Sequence, residues 1–432
     1  MQSQKMRIYA KKTNRPMEAK RERYVSSLLE RRNNGMIKIV TGVRRCGKSY
    51  LLFTLFKRKL MELGVQEDHI ISFALDDYQN REYLNPDNLN QYVRTRIVDN
   101  GMYYVLLDEI QLVPNFEHLL NGFLHIPNAD TYVTGSNSKF LSSDIITEFR
   151  GRGDEVRVYP LSFSEFLSVF EGTEYEAWNN YQVYGGMPGL LAIGREDRKA
   201  SYLQALFSQT YFQDIISRYN LRGNEEMEEL MNVVASSIGT LTNPLTLTNT
   251  FISEKKMRIS RDTVASYLQY MQDAFLIEKA QRYDVRGRRY IGTPVKYYFV
   301  DVGLRNARLN FRQNDYGHIM ENVIYNELRM RGMSVDVGMV EVNCKEDGKS
   351  KRKQFEVDFV CNRGSQRYYI QSAFVLYDEE KREKETQSLR HINDSFKKIL
   401  VQKDTILPYY DDNGFLNLGL FDFLTDETVI DR

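Results

Sequence analysis

The residues Gly42-Val43-Arg44-Arg45-Cys46-Gly47-Lys48-Ser49 have the spacing GxxxxGK[ST]. They follow the apolar run Met36–Val40 and open the helical stretch Tyr50–Leu60, the strand–loop–helix context in which this motif cradles phosphate. Glycines let backbone N–H groups curl round an anion, and the new helix turns its positive end toward it. Lys48 is expected to reach the β and γ phosphates of ATP, and Ser49 to hold Mg²⁺. The expected ATP-binding set is therefore Gly42, Val43, Arg44, Arg45, Cys46, Gly47, Lys48, Ser49 and Tyr50, with the Arg44 and Arg45 side chains facing solvent. Cys46 lies beside Lys48, Arg44 and Arg45 at a helix start, which predicts a reactive thiol shielded by Mg-ATP.

A second group lies about sixty residues on. Tyr103-Tyr104-Val105-Leu106-Leu107-Asp108-Glu109 is an apolar strand ending in two carboxylates. Asp108 is expected to join Ser49 at Mg²⁺, and Glu109 to polarise an attacking water as general base. Thr131-Tyr132-Val133-Thr134-Gly135-Ser136-Asn137 is another strand with small polar residues at its end; Asn137, with Ser136 close behind, is expected at the γ-phosphate or the water. Arg152, preferred over Arg150 in Phe149-Arg150-Gly151-Arg152-Gly153, is expected as an arginine finger, in cis or from a neighbouring subunit. The plain alternative for both segments is a solvated loop.

These side chains need a scaffold. Short apolar runs at Met36–Thr41, Ile70–Leu75, Tyr103–Leu107, Thr131–Thr134 and Glu155–Val158 alternate with helical stretches, as in an open parallel sheet buried on both faces. The fold class is α/β: a P-loop NTPase with a parallel sheet, then a helical and winged-helix region, then a small α+β or α/β domain. The expected divisions are a basic helical segment (1–35), the ATPase domain (36–205), the winged-helix region (206–315) and the last domain (316–432). Helices are expected at Glu225–Gly239 and Ser260–Ala274, a hairpin at Leu276–Val300, and strands at Ser334–Val342, Gln354–Cys361 and Arg367–Phe374. The hydrophobic share of 42% and charged share of 27% across 432 residues exclude wholesale disorder. A net charge of +1 says nothing for or against nucleic acid or membranes, so only local clusters inform. Three cysteines make no disulfide framework and fit a reduced, cytoplasmic compartment. No run of about 18 apolar residues predicts a membrane span.

The segments GVRRCGKS, VLLDEIQ, VTGSNSKFL, GRGDEVRVYPLSFSEF, GGMP and KYYFVDVGLRN resemble the prokaryotic archaeal-type ATPases of the AAA+/STAND P-loop group. The resemblance implies a central winged helix and a C-terminal domain similar to the PD-(D/E)xK nuclease fold. Glu321 and Asp358 match that fold's first acidic positions, whereas Gln371 and Ala373 stand where its second carboxylate and its lysine belong. A degenerate site without nuclease activity is expected. The hairpin's Arg286, Arg288 and Arg289 are candidate contacts for double-stranded DNA. The leading expectation is a Mg²⁺-dependent ATPase that moves its later domains, with a protein partner or homo-oligomer among its partners. The rivals are a nucleotide-gated DNA-binding or DNA-processing protein and an ATP-binding scaffold with little turnover.

Overall fold

The computed structural model describes residues 18–135, 151–221, 225–255, 258–313, 315–346, 349–376 and 378–432. Five parallel strands form the first sheet: β1 (Ile37–Thr41), β2 (Ile70–Ala74), β3 (Tyr103–Asp108), β4 (Ala129–Thr134) and β5 (Gly153–Arg157), in the order β2-β3-β4-β1-β5. Each falls on an apolar run of the sequence. Successive side chains of a strand point to opposite faces. Accordingly Val40, Leu106 and Tyr132 pack toward the helices Glu22–Glu30 and Lys48–Glu62. Ile39, Val105, Leu107 and Val133 pack toward Pro86–Arg96 and Phe116–Phe123. The helix after β1 runs Lys48–Tyr50, makes a π-helical stretch at Leu51–Phe56 and continues as Lys57–Glu62. Strand β4 lies between β1 and β3, in register with Val40 opposite Thr134 and Leu107 opposite Val133. The C-terminal ends of β1, β4 and β3 are therefore neighbours, and that edge carries the site.

The second half begins with helices and turns into a sheet. Helices Glu225–Ser236 and Arg261–Asp273 occupy the expected stretches, the latter capped by the Ser260 hydroxyl on Thr263 N. The expected hairpin is β6 (Ile277–Asp284) and β7 (Arg289–Phe299). After helices Val302–Arg308 and Tyr316–Met330 come β8 (Ser334–Glu346), β9 (Lys349–Arg363) and β10 (Gln366–Ala373). Helix Glu379–Arg390 then leads to β11 (Lys397–Gln402), β12 (Tyr409–Tyr410) and β13 (Leu416–Gly419). These strands form one eight-stranded sheet, β12-β13-β11-β10-β9-β8-β6-β7. Strand β6 pairs with β8 from Arg282 opposite Val337 to Asp284 opposite Met339. The hairpin thus shares its sheet with the strands beyond residue 315.

The two sheets meet at a tight junction built from segments that stood out in the sequence. Leu161 N donates to Gly186 O at 2.7 Å, and Gly186 N donates to the Asp301 carboxylate at 2.7 Å. A Cβ on Gly186 would lie 2.1 Å from Leu161 O, so only glycine fits that approach. Asn306 Nδ2 closes the junction on Gln182 O and Val183 O. Burial pushes the Asp301 carboxyl up to about 6, against the amides of Gly186, Leu304 and Gly303. Nearby, the buried Glu278 of β6 receives Arg157 at 2.9 Å and Arg329 at 2.8 Å, with the Tyr159 hydroxyl donating at 2.5 Å. Arg23, just inside the first helix, ion-pairs with Glu327 at 2.9 Å and Glu427 at 2.6 Å.

Candidate nucleotide site

Strand β1 ends at Thr41, and the chain turns at once into the loop Gly42–Ser49. Gly42 has φ 135° and sits where a Cβ would lie 2.0 Å from Val158 O, so conformation and space both require glycine. Val158 N donates to Thr41 O at 2.9 Å, and Cys46 Sγ lies 3.4 Å from Val158 O. The segment after β5 thus forms the back of the loop. The buried Arg21 guanidinium reaches Cys46 O at 3.2 Å and Tyr159 O at 2.6 Å and ion-pairs with Glu165 at 3.2 Å. The first helical i→i−4 bond beyond the loop runs from Leu51 N to Gly47 O at 2.9 Å. The amides of Lys48, Ser49 and Tyr50 therefore lie in the unpaired first turn, where a helix favours an anion.

Lys48 is buried, and its ammonium donates to Gly42 O at 2.8 Å and Val43 O at 3.1 Å, which fixes the side chain across the loop. Asp108 at the end of β3 is buried and accepts from the Thr134 hydroxyl and from Ser49. Burial raises the Asp108 carboxyl, those two hydrogen bonds oppose the shift, and the charges of Glu109 and Asp76 add to it. Glu109 takes a left-handed conformation at φ 53°; its amide donates to Thr134 Oγ1 at 3.1 Å, and Gln111 Nε2 donates to its carboxylate. Thr134 thus ties the two carboxylate residues to β4. Sequence reasoning misses it because it looks only past the strand's end, to Ser136 and Asn137. The signal is present: a threonine as the last residue of the strand between β1 and β3.

Of the other expected residues, Asn137, Ser136 and Arg150 lie outside the described residues. Arg152 is not brought to the site: its carbonyl accepts from Ile37 N at 2.9 Å, at the opening of β1, whereas the loop follows the other end of that strand. At about 3.3 Å per residue the length of β1 puts roughly 15 Å between them, which corrects the in-cis form of the finger. Cys46 has no exposed surface, and neither has Cys361, so burial does not set one thiol apart from the other. The exposed Tyr50 ring turns away, with its hydroxyl donating to Glu18. Arg44 does not simply face solvent. Its side chain pairs with Asp214 at 2.9 Å and its carbonyl accepts from the Tyr211 hydroxyl at 2.7 Å. Burial raises the Asp214 carboxyl, Arg44 and Arg218 counter it, and the Glu109 charge reinforces it.

In the second sheet the structure brings Glu321 and Asp358 together and adds two residues, Lys296 and Glu356. Lys296, from β7, donates to Glu321 at 2.9 Å and lies 2.7 Å from Glu356. Tyr298 donates to Glu321 at 2.6 Å, and Ser372 N to Asp358 at 2.8 Å. Burial alone would lower the lysine, but Glu321, Asp358 and Glu356 reverse this and raise it. Burial, with Glu321 adding, pushes Asp358 up to about 7 against Lys296 and the Ser372 amide. An ammonium therefore stands at the acids although position 373 is alanine; it comes from another strand, with no local spacing to announce it. Gln371 Oε1 accepts from Asp358 N at 3.3 Å and from Ser388 at 3.4 Å.

Residues 34–167 match a family described as an AAA domain, and residues 175–315 match a domain of unknown function, DUF8612. A Haemophilus influenzae protein described as uncharacterized is 32% identical over 387 residues, covering 88% of this chain and 92% of that protein. An uncharacterized Methanocaldococcus jannaschii protein is 28% identical over 402 residues, covering 89% of this chain and 85% of that one. Among solved structures, the Aeropyrum pernix ORC1 protein in complex with DNA overlaps 67% of this chain and 91% of its own at 13% identity, with a TM-score of 0.31. That overlap is too loose to carry an argument, and the family rests on the sequence matches. By identity and coverage the chain belongs to one family with the Haemophilus influenzae protein, and its first domain is an AAA-type P-loop ATPase fold.

Proposed function

We propose that the protein binds ATP with Mg²⁺ at the loop Gly42–Ser49 and hydrolyses it. The observation that carries this reading is the meeting of Ser49 with Asp108, two residues far apart in sequence that the strand order places side by side. A hydroxyl and a carboxylate are hard oxygen donors and fit Mg²⁺. Bound there, Mg²⁺ would neutralise charge on the phosphate oxygens. An ammonium has three donors; Lys48 spends two on loop carbonyls among the described residues, and the third is left for phosphate. Glu109 takes the proton of the attacking water, held by its bonds to Gln111 and Thr134. Arg152 is proposed as a finger only toward the site of a second copy. Phosphate release by the purified protein, with and without double-stranded DNA, tests the reading; no release under either condition leaves the scaffold alternative.

A DNA contact is the second reading, supported by the exposed Arg286, Arg288 and Arg289 at the hairpin turn. Neutralising the three should flatten the salt dependence of DNA binding by roughly one unit of slope for each phosphate that no longer meets an arginine. An unchanged slope in a salt titration places any binding elsewhere. Cleavage of that DNA is not expected, because the Lys296 ammonium is already shared by Glu321 and Glu356.

A further inference from the structure

Helix Gln213–Tyr219 and the π-helical turn Phe207–Phe212 before it close on a single residue of the phosphate loop. The Tyr211 hydroxyl holds the Arg44 carbonyl at 2.7 Å, and Tyr211 is buried, so this grip is built into the core. The Asp214 carboxylate takes the Arg44 guanidinium, with Nη1 at 2.9 Å from both carboxylate oxygens. The loop's main chain and its arginine are thus held by residues one helical turn apart. A guanidinium binds carboxylate and phosphate through the same planar donors. Arg44 is one step from the Val43 carbonyl that positions Lys48, so its charge belongs to the wall of the phosphate cradle.

We propose that Asp214 is an internal competitor for phosphate at Arg44: a polyphosphate seated in the loop takes the guanidinium from Asp214, and Arg44 becomes a phosphate contact. This rests on the ATP reading above. The pair is suited to exchange, because both side chains are partly exposed, at 42% and 34%, and a pair so hydrated is weak. An arriving phosphate also places negative charge beside Asp214 and Glu109, which already repel each other. Tyr211 keeps its bond to the carbonyl through the exchange, so the guanidinium swings while the loop stays fixed.

The test is the affinity of the full chain for Mg²⁺-bound N-methylanthraniloyl-ATP. Asp214→Asn should tighten binding about twofold to fivefold, since the Asp214 charge no longer competes for Arg44. Asp214→Glu should keep the parental affinity. Arg44→Ala should weaken binding, and Asp214→Asn added to Arg44→Ala should change nothing further. A gain in affinity cannot come from misfolding. Unchanged or weaker binding by Asp214→Asn, or the same tightening in the Arg44→Ala background, overturns the proposal while the ATP reading stands. A folded parent that does not bind the probe overturns both.

Discussion

Lys48 is the residue whose loss should be least tolerated. Its ammonium joins the start of the loop to the start of the helix, so Lys48→Ala removes both the cation and the brace. Nucleotide binding should fall below detection in a fluorescence titration. Glu109→Gln keeps the side chain's shape and its contact with Gln111 but removes the proton acceptor. Binding should persist while single-turnover hydrolysis drops roughly 10²–10⁴-fold. A variant that hydrolyses at the parental rate excludes Glu109 as the base. Asp358 supplies a pH signature of its own. Its folded value of about 7 lies above the roughly 3.9 of an unfolded aspartate. Between those values the folded chain holds a proton that the unfolded chain has released, so this contribution to stability is present at low pH and is lost as pH rises toward 7. Asp358→Asn removes the titration. Urea midpoints should then change less between pH 5 and pH 8 than in the parent, and an equal change excludes Asp358 as the source. Fixed spacing makes the loop and the Asp108–Glu109 pair legible in the sequence. Asp214 and Lys296 are not, because each meets its partner only through tertiary packing.

At the scale of elements, β1, β3 and β4 are legible because both faces are covered and their apolar residues run nearly unbroken, whereas the edge strand β5 is half-exposed and opens on Gly153 and Asp154, before the run that announces it. The hairpin is legible too, from its turn at Asp284–Gly287. Its place in a sheet with β8 is not, since strand pairing across intervening helices leaves no local pattern. The segments PLSFSEF, GGMP and VDVGLRN stand out in the sequence only as words of a resemblance; the structure gives them one physical role, the junction of Leu161, Gly186 and Asp301. Gly186→Ala should force that junction open, because the new methyl meets the Leu161 carbonyl head-on. The cost should be about 1–3 kcal/mol, seen as an earlier thermal transition. The effect should reach the loop, since Pro188 begins the short turn that packs behind Gly47.

For the whole molecule, the buried Glu278 joins what the sequence divides into separate domains. It binds Arg157 and Tyr159 from the end of the first sheet and Arg329 from the helix that backs the second. Burial raises its carboxyl, but the two arginines more than offset this, so the folded value is lowered and the anion persists. Glu278→Gln leaves two guanidinium groups without their counter-charge, and the expected loss is about 3–5 kcal/mol in denaturant unfolding. A shift under about 1 kcal/mol would show that solvent reaches the arginines. The ion pairs of Arg23 impose a schedule as well as a shape. Its partner Glu427 lies 404 positions further along the chain. A ribosome adding about 5–20 residues per second needs roughly 20–80 seconds to cover that distance. The first helix can settle against the P-loop helix early, but its clasp to the far end must wait. Until then the nascent ATPase domain exposes the Phe163 ring that Phe421 of the late helix Leu420–Thr425 stacks upon. Chaperone contact during synthesis should concentrate on that face.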